Sequence, residues 1–260
     1  MSLLERVNKG VRQRPFRMVL YGVEGIGKSE FAAQFPAPIF LAAEDGVDHI
    51  DTSSFVPSSW MECINFLSEL YSTEHGYQSL VVDTVRWMES MVGDFICERE
   101  RVPSLAKISY GRAGSYVMSE FQKAMQWFSA LRNVKGMNII LVGHADVKKF
   151  GNPEGDDYDR YSISMSNKYI AEELKQWAEI VGFYNFDHTV DKGEGFEKPK
   201  GKSLNRRLLH VERSVAFDAK NRYKLPSPID LTGSAEKGFA SFIELYNKSP
   251  VFQTTPESNQ

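Results

Sequence analysis

Short apolar runs punctuated by glycine, proline or acidic residues recur along the first half of the chain and alternate with stretches of helical spacing. Residues 16–21, 39–43, 80–82 and 139–143 are such runs. Each is too short for a buried helix and apolar throughout, as expected of strands covered on both faces. Between them, residues 28–35 read as a helix that stops at Pro36, and residues 58–72 place Trp60, Ile64, Phe66, Leu67 and Leu70 at roughly helical spacing. Residues 85–102 and 115–133 also read as helices. Strands alternating with helices predict an α/β fold: a mostly parallel sheet with helices on both faces.

The C-terminal third differs. Residues 179–190 and 206–218 are rich in Val, Phe, Tyr and Leu, and a Gly- and Lys-rich segment joins them. This predicts a C-terminal β-hairpin. Residues 145–167 read as a long loop holding Gly151, Pro153, Gly155 and several acids, and loops of that length are commonly functional. The expected organisation is an N-terminal helical segment over 1–15 (a short helix at 3–10), a core over 16–246 and a loosely held polar tail over 247–260.

Composition narrows the classes. The chain has 260 residues, 42% hydrophobic and 25% charged, which fits an ordinary globular protein. Two cysteines, Cys63 and Cys97, are too few for a disulfide framework and predict free thiols in a reducing cytoplasm. No run of about 18 apolar residues exists, so no membrane span is expected, and the charged N-terminus is unlike a secretory signal. Net charge is −3, from 31 Lys+Arg against 34 Asp+Glu, so any nucleic-acid contact must use local patches.

The strongest chemical signal is Gly22-Val23-Glu24-Gly25-Ile26-Gly27-Lys28-Ser29, a match to GxxxxGK[ST] between a strand and a helix. Glycines let backbone N–H groups turn inward around phosphate oxygens. Lys28 should reach the outer phosphates of ATP, Ser29 should bind Mg²⁺, and Glu30 follows in the first helical turn. A P-loop needs a second acid on the metal side, and Asp83 supplies it at the end of the run 80–82. Glu44 and Asp45 end another strand and should face the same crevice; Glu44 is the candidate for orienting the attacking water.

Taken in order, these segments resemble the RecA-like recombinase group, most closely the phage Sak-type RecA-like single-strand annealing ATPases. IFLAAEDGVDHI resembles the family's water-activating segment, which implies that role for Glu44. SLVVDTV resembles its metal-side strand, which implies that role for Asp83. Ala219-Lys220-Asn221-Arg222-Tyr223 is similar to the segment whose cations reach the ATP of the neighbouring subunit, which implies that role for Lys220 and Arg222. Where the family carries a γ-phosphate-sensing glutamine, this chain has His144, which can also donate a hydrogen bond. The resemblance implies a RecA-like ATPase with ATP and Mg²⁺ as cofactors, assembled head to tail as a homo-oligomer. It also implies single-stranded DNA and a single-stranded DNA-binding protein as partners, no membrane, and the cytoplasm of a bacterial host. The chain lacks the large extra domains of RecA, so annealing fits better than strand exchange.

Two loops offer DNA contacts. The first holds Arg99, Arg101, Lys107, Tyr110, Arg112 and Tyr116, cations mixed with aromatics as backbone contact and base stacking require. The second holds Lys148, Lys149, Phe150, Arg160, Tyr161 and Lys168, diluted by Asp156, Asp157 and Asp159. The stretch Lys192, Lys198, Lys200, Lys202, Arg206 and Arg207 is the most basic, either a third DNA contact or a solvated hairpin. A P-loop small-molecule kinase, a helicase or loader ATPase, and a non-enzymatic ATP-gated DNA-binding module are the alternatives. A kinase would need an arginine-bearing lid close to the phosphates and should work as a monomer.

Overall fold

The computed structural model describes residues 7, 10–43, 45–191 and 200–253; at 45, 188–191 and 200–204 it describes the backbone alone. Glu44, residues 192–199 and most of the segment 3–10 lie outside these residues.

The four apolar runs form the middle of one sheet, as β1 (Arg17–Gly22), β2 (Pro38–Ala42), β4 (Ser79–Asp83) and the first half of β5 (Asn138–Phe150). With β3 (Ser53–Phe55) and β7 (Ile180–Asp191) they run parallel in the order β3-β2-β4-β5-β1-β7. Beyond β7 the sheet turns antiparallel through β8 (Lys200–His210) and β10 (Ile229–Asp230). The β7–β8 pair is the expected C-terminal hairpin.

Successive residues of the central strands face opposite sides. Ile139 and Leu141 join one core with Val19, Tyr21, Leu80 and Val82. Ile140 and Val142 join a second core with Met18, Leu20 and Val81. The first core is roofed by α2 (Trp60–Ser72), α3 (Val85–Glu100), α4 (Ala113–Ala130) and α5 (Lys168–Trp177). The second is roofed by α1 (Lys28–Ala32) and α6 (Ala235–Asn247). Burying each Leu, Ile or Val here contributes about 1.5–3 kcal/mol, so the double coverage of these strands holds the sheet. The helices start on side-chain caps: Ser59 accepts from Glu62 N–H at 3.2 Å, and Thr84 accepts from Trp87 N–H at 3.4 Å. Thr84 follows Asp83 directly, so this cap fixes where the acidic strand end gives way to α3.

Several expectations need correction. Residues 145–163 are a hairpin and not an open loop, because β5 continues to Phe150 and pairs antiparallel with β6 (Tyr158–Ile163). The strand expected over 206–218 ends at His210. Phe217 folds back instead, its ring 5.1 Å from Phe183 and 4.6 Å from His210. Of the tail, residues 250–253 form α7 (Pro250–Gln253), and Phe252 packs on Tyr246 at 5.0 Å and Tyr223 at 5.5 Å. Cys63 and Cys97 are free thiols. No helix among the described residues is long and apolar enough to cross a membrane.

Candidate functional site

The P-loop leaves the carboxyl end of β1 between β5 and β7. A Cβ on Gly22 would lie 2.0 Å from the Tyr184 carbonyl oxygen, so only glycine lets β1 and β7 approach here. Gly27 closes the loop at φ 97°, a left-handed conformation that favours glycine. Ile26 is fully buried and pins the loop to the second core, which leaves only its backbone for a ligand. Val23 is half-buried, and Glu24, Gly25 and Glu30 are exposed around the opening.

Lys28 does not project freely from this loop; it is 7% exposed. Its ammonium donates to the carbonyls of Val23 at 2.8 Å and Gly22 at 3.2 Å. Burial pulls its pKa below the usual lysine range, opposed by the charges of Asp83 and Glu24.

Asp83 ends β4, one strand removed from β1 because β5 lies between. The Ser29 hydroxyl crosses that gap and donates to Asp83 Oδ2. Burial raises the Asp83 pKa, while the Ser29 hydrogen bond, Lys28 and His144 pull it down. His144 stands opposite Gly22 in the parallel register of β1 and β5. Its buried Nδ1 has no hydrogen-bond partner among the described residues. Lys28, Ser29, Asp83 and His144 thus gather at one end of the sheet, as the strand-end rule predicts.

The donor set suits Mg²⁺. That ion uses one or two carboxylates, keeps several waters and takes its remaining oxygens from substrate phosphates. A hydroxyl and a carboxylate already in contact beside a phosphate loop meet that need. The described residues hold no cluster of three His, Cys, Asp or Glu that would form an all-protein metal cage. Glu44 lies outside the described residues, but its neighbour Ala43 donates its N–H to the Asp83 carbonyl at 3.0 Å.

Lys220 and Arg222 lie elsewhere. Lys220 opens β9 (Lys220–Asn221), which pairs with the start of β7, where Ile180 also meets Met18 of β1. This is the amino end of the parallel strands, away from the P-loop. The Lys220 ammonium donates to the Lys175 and Gln176 carbonyls at 2.8 Å each, capping the last turn of α5. Lys220 therefore has a structural role as a helix cap. Arg222 is exposed. Neither reaches the phosphate loop of its own chain.

The DNA candidates divide. Arg99 is held by Glu100 at 3.0 Å and Glu120 at 3.1 Å, with its guanidinium over Tyr116. Arg101, Lys107, Tyr110 and Arg112 are exposed, Tyr110 to 94%. The second set converges better. Lys148, Lys149, Phe150, Arg160, Lys168 and Arg213 line a cleft of about 530 Å³ beneath the β5–β6 hairpin. Arg160 is committed to Asp218 at 2.6 Å and Lys149 approaches Asp157 at 3.6 Å. Lys148 donates weakly to the Met165 carbonyl at 3.4 Å, and Lys168 lies over the Tyr169 ring. The Phe150 ring packs on Tyr158 at 5.1 Å, with Arg160 over it.

Sequence reasoning placed Arg206 and Arg207 in one basic loop, and the structure separates them. Arg206 pairs with Asp187 at 3.2 Å and Asp230 at 3.0 Å. Arg207 turns to the P-loop: its Nη1 lies 3.2 Å from where a Cβ on Gly27 would sit. No motif marks such a residue; only the pairing of β8 with β7, and β7 with β1, carries it there.

A sequence family described as an AAA domain matches residues 14–223. The SPbeta prophage-derived uncharacterized protein YorG of Bacillus subtilis (strain 168) is 25% identical over 147 residues, covering 54% of this chain and 44% of that relative. The chain therefore matches less than half the length of this curated relative. The crystal structure of the RadB recombinase is similar at a TM-score of 0.41 and 11% identity, covering 75% of this chain and 80% of that one.

Proposed function

The chain belongs to the AAA domain family, and on that premise we propose that it is a RecA-like, Mg²⁺-dependent ATPase that binds and anneals single-stranded DNA in phage recombination. The observation that carries the reading is the Ser29 hydroxyl on the Asp83 carboxylate at the mouth of the P-loop. Backbone N–H groups of the loop hold the phosphates, and Lys28 exchanges its two loop carbonyls for phosphate oxygens. Ser29 and Asp83 would hold Mg²⁺, which would neutralise charge on the phosphate chain. Glu44 orients and deprotonates the attacking water as the bond to the γ-phosphorus forms and the bond to ADP breaks. His144, opposite Gly22 in the strand register and with a buried Nδ1 unpartnered among the described residues, contacts the γ-phosphate. Arg222, with Lys220 beside it, faces the ATP of the next subunit in a head-to-tail homo-oligomer, which suits their place at the opposite end of the sheet.

The basic cleft supports DNA as the polymer bound. Lys148, Lys168 and Arg213 line it without an ion pair among the described residues, Phe150 stands among them, and the two acids of the lining, Glu172 and Asp218, are paired with Lys175 and Arg160. It lies under the hairpin that continues β5 beyond His144, so a γ-phosphate contact and the DNA site share one strand. A single-stranded DNA-binding protein and a bacterial cytoplasm complete the reading.

The deciding experiment measures ATP hydrolysis with and without single-stranded DNA, alongside particle sizing. Stimulated hydrolysis by oligomers is expected; hydrolysis indifferent to DNA in a monomer rejects the DNA and assembly parts. One observation favours a small-molecule kinase as a second reading: Arg207 stands close to the phosphate loop within one chain. It sits on a sheet strand and not on a lid, and phosphorylated product made by monomers would establish that alternative.

A further inference from the structure

Three elements bring one cation to the phosphate loop. Arg207 lies on β8, whose Arg207 pairs with Phe186 and whose Leu209 pairs with Tyr184 of β7. Tyr184 in turn pairs with Gly22 at the end of β1. The Tyr184 side chain is buried at 3% exposure, and the Arg207 guanidinium lies near its hydroxyl, where its charge opposes the rise in the tyrosine pKa that burial causes. Arg207 N–H donates to Thr232 Oγ1 at 2.9 Å, and its carbonyl accepts from Leu231 N–H at 2.8 Å. The backbone of Arg207 is therefore held, and its guanidinium lies beside Tyr184. Nη1 of Arg207 and Oε2 of Glu30 each lie 3.2 Å from where a Cβ on Gly27 would stand. A side chain on Gly27 would thus be wedged between an arginine and a glutamate. No ion pair within 4 Å binds Arg207 to any acid among the described residues, whereas its neighbour Arg206 has two.

We propose that Arg207 is a nucleotide-binding residue that donates to the inner phosphates of the nucleotide held in its own chain's P-loop, with Tyr184 as its positioning residue. This rests on the ATPase reading above and adds a cation in cis to those expected in trans. Inner phosphates are specified by the neighbour: Gly27 belongs to the backbone cradle of the α- and β-phosphates, whereas Lys28 serves the β- and γ-phosphates. An arginine fork matches two phosphate oxygens, which a lysine cannot do. ADP and ATP should therefore feel Arg207 equally, unlike His144, which only ATP should feel.

The test titrates Mg²⁺ with fluorescently labelled ADP and with labelled ATP against the full chain and its Arg207→Ala, Arg207→Lys and Tyr184→Phe variants. Thermal melting of each unliganded protein is followed in parallel. Arg207→Ala is expected to weaken both nucleotides alike, by about 10- to 100-fold, the range for hydrogen bonds to charged groups. Arg207→Lys should recover part of that loss. Tyr184→Phe keeps the buried ring and should weaken both nucleotides by a smaller, equal factor without lowering the melting temperature as a cavity would. Unchanged affinity in Arg207→Ala, with the wild type binding normally, overturns the inference and leaves the ATPase reading intact. Loss for ATP alone overturns the inner-phosphate assignment. Loss of nucleotide matched by a fall in melting temperature in all three variants assigns Arg207 a structural role and overturns the proposal. A wild type that binds neither nucleotide removes the ATPase reading, and the inference with it.

Discussion

His144 lies directly opposite Gly22 where β5 and β1 run side by side, at the strand ends from which the P-loop leaves. Its Nδ1 is buried without a partner among the described residues. Buried polar atoms without partners are uncommon, and each invites a functional explanation. A γ-phosphate oxygen would satisfy this one. His144→Ala should lower kcat for ATP by about 100-fold, the scale of losing one preorganised donor to developing charge. Affinity for ADP should stay within twofold, and His144→Gln should retain more activity than His144→Ala. Equal kcat in wild type and His144→Ala would exclude the role.

Asp83 yields a prediction about stability and pH. Burial raises its folded pKa above the ordinary value, so the folded state resists its charge. Below the unfolded pKa both states hold the proton and no difference exists. As pH rises through the folded pKa, the charged carboxylate costs the folded state stability. Asp83→Asn should therefore melt higher than wild type at pH 7, by about 2–4 °C for each kcal/mol relieved. The gap should close towards pH 4. With Mg²⁺ and ATP added the order should reverse, because only the wild type can hold the ion. A variant that melts lower than wild type at pH 7 without ligand would contradict this.

The cleft under the β5–β6 hairpin makes a salt prediction. If its cations follow a single strand, each phosphate contact adds about 0.7 to the slope of log affinity against log salt. Lys148→Ala combined with Lys168→Ala should reduce the slope by about 1.4. Arg99→Ala should leave it unchanged, since Arg99 is already committed to Glu100 and Glu120. Filter binding to an oligonucleotide at several salt concentrations decides this. A reduced slope in Arg99→Ala but not in the lysine pair would move the DNA path to the 101–112 segment.

What the sequence made legible follows from burial. The central strands are covered on both faces, so they appear as unbroken apolar runs, and their ends carry Gly22, Asp83 and His144. The P-loop chemistry could be read because its spacing is rigid. The outer half of β5 could not, because residues 146–149 are exposed, and pairing with β6 satisfies the backbone without an apolar run. Helix α5 carried a detectable signal in Ile170, Ala171 and Leu174, and α6 in Phe242 and Tyr246 at the i, i+4 spacing of one buried face. Arg207 and the Lys220 cap had no local signal, since both depend on partners far along the chain.

Lys220 and Arg222 were paired by motif, yet the structure gives them unequal freedom, and that inequality sharpens the test of assembly. Lys220 is bound to two carbonyls at the end of α5, and burial holds its pKa below the usual lysine range, with Arg222 pushing the same way. Lys220→Ala should strip that cap and lower stability by about 1 kcal/mol, the typical worth of a helix cap or of a cation at a helix C-terminus. Its effect on hydrolysis is then a mixture of folding and chemistry. Arg222 is exposed, so Arg222→Ala should leave the melting temperature unchanged. If it acts on a neighbour's ATP, hydrolysis should fall by about 10³-fold or more while nucleotide binding persists, as for arginines supplied in trans. Lys28→Ala should also be inactive, through its own P-loop. Mixing the two inactive proteins should restore part of the activity, because some interfaces then join an intact P-loop to an intact Arg222. Rescue requires two chains at one site, which no in-chain cation such as Arg207 could imitate. Full activity of Arg222→Ala alone would reject the trans role and leave Arg207 as the arginine proposed for the nucleotide among the described residues.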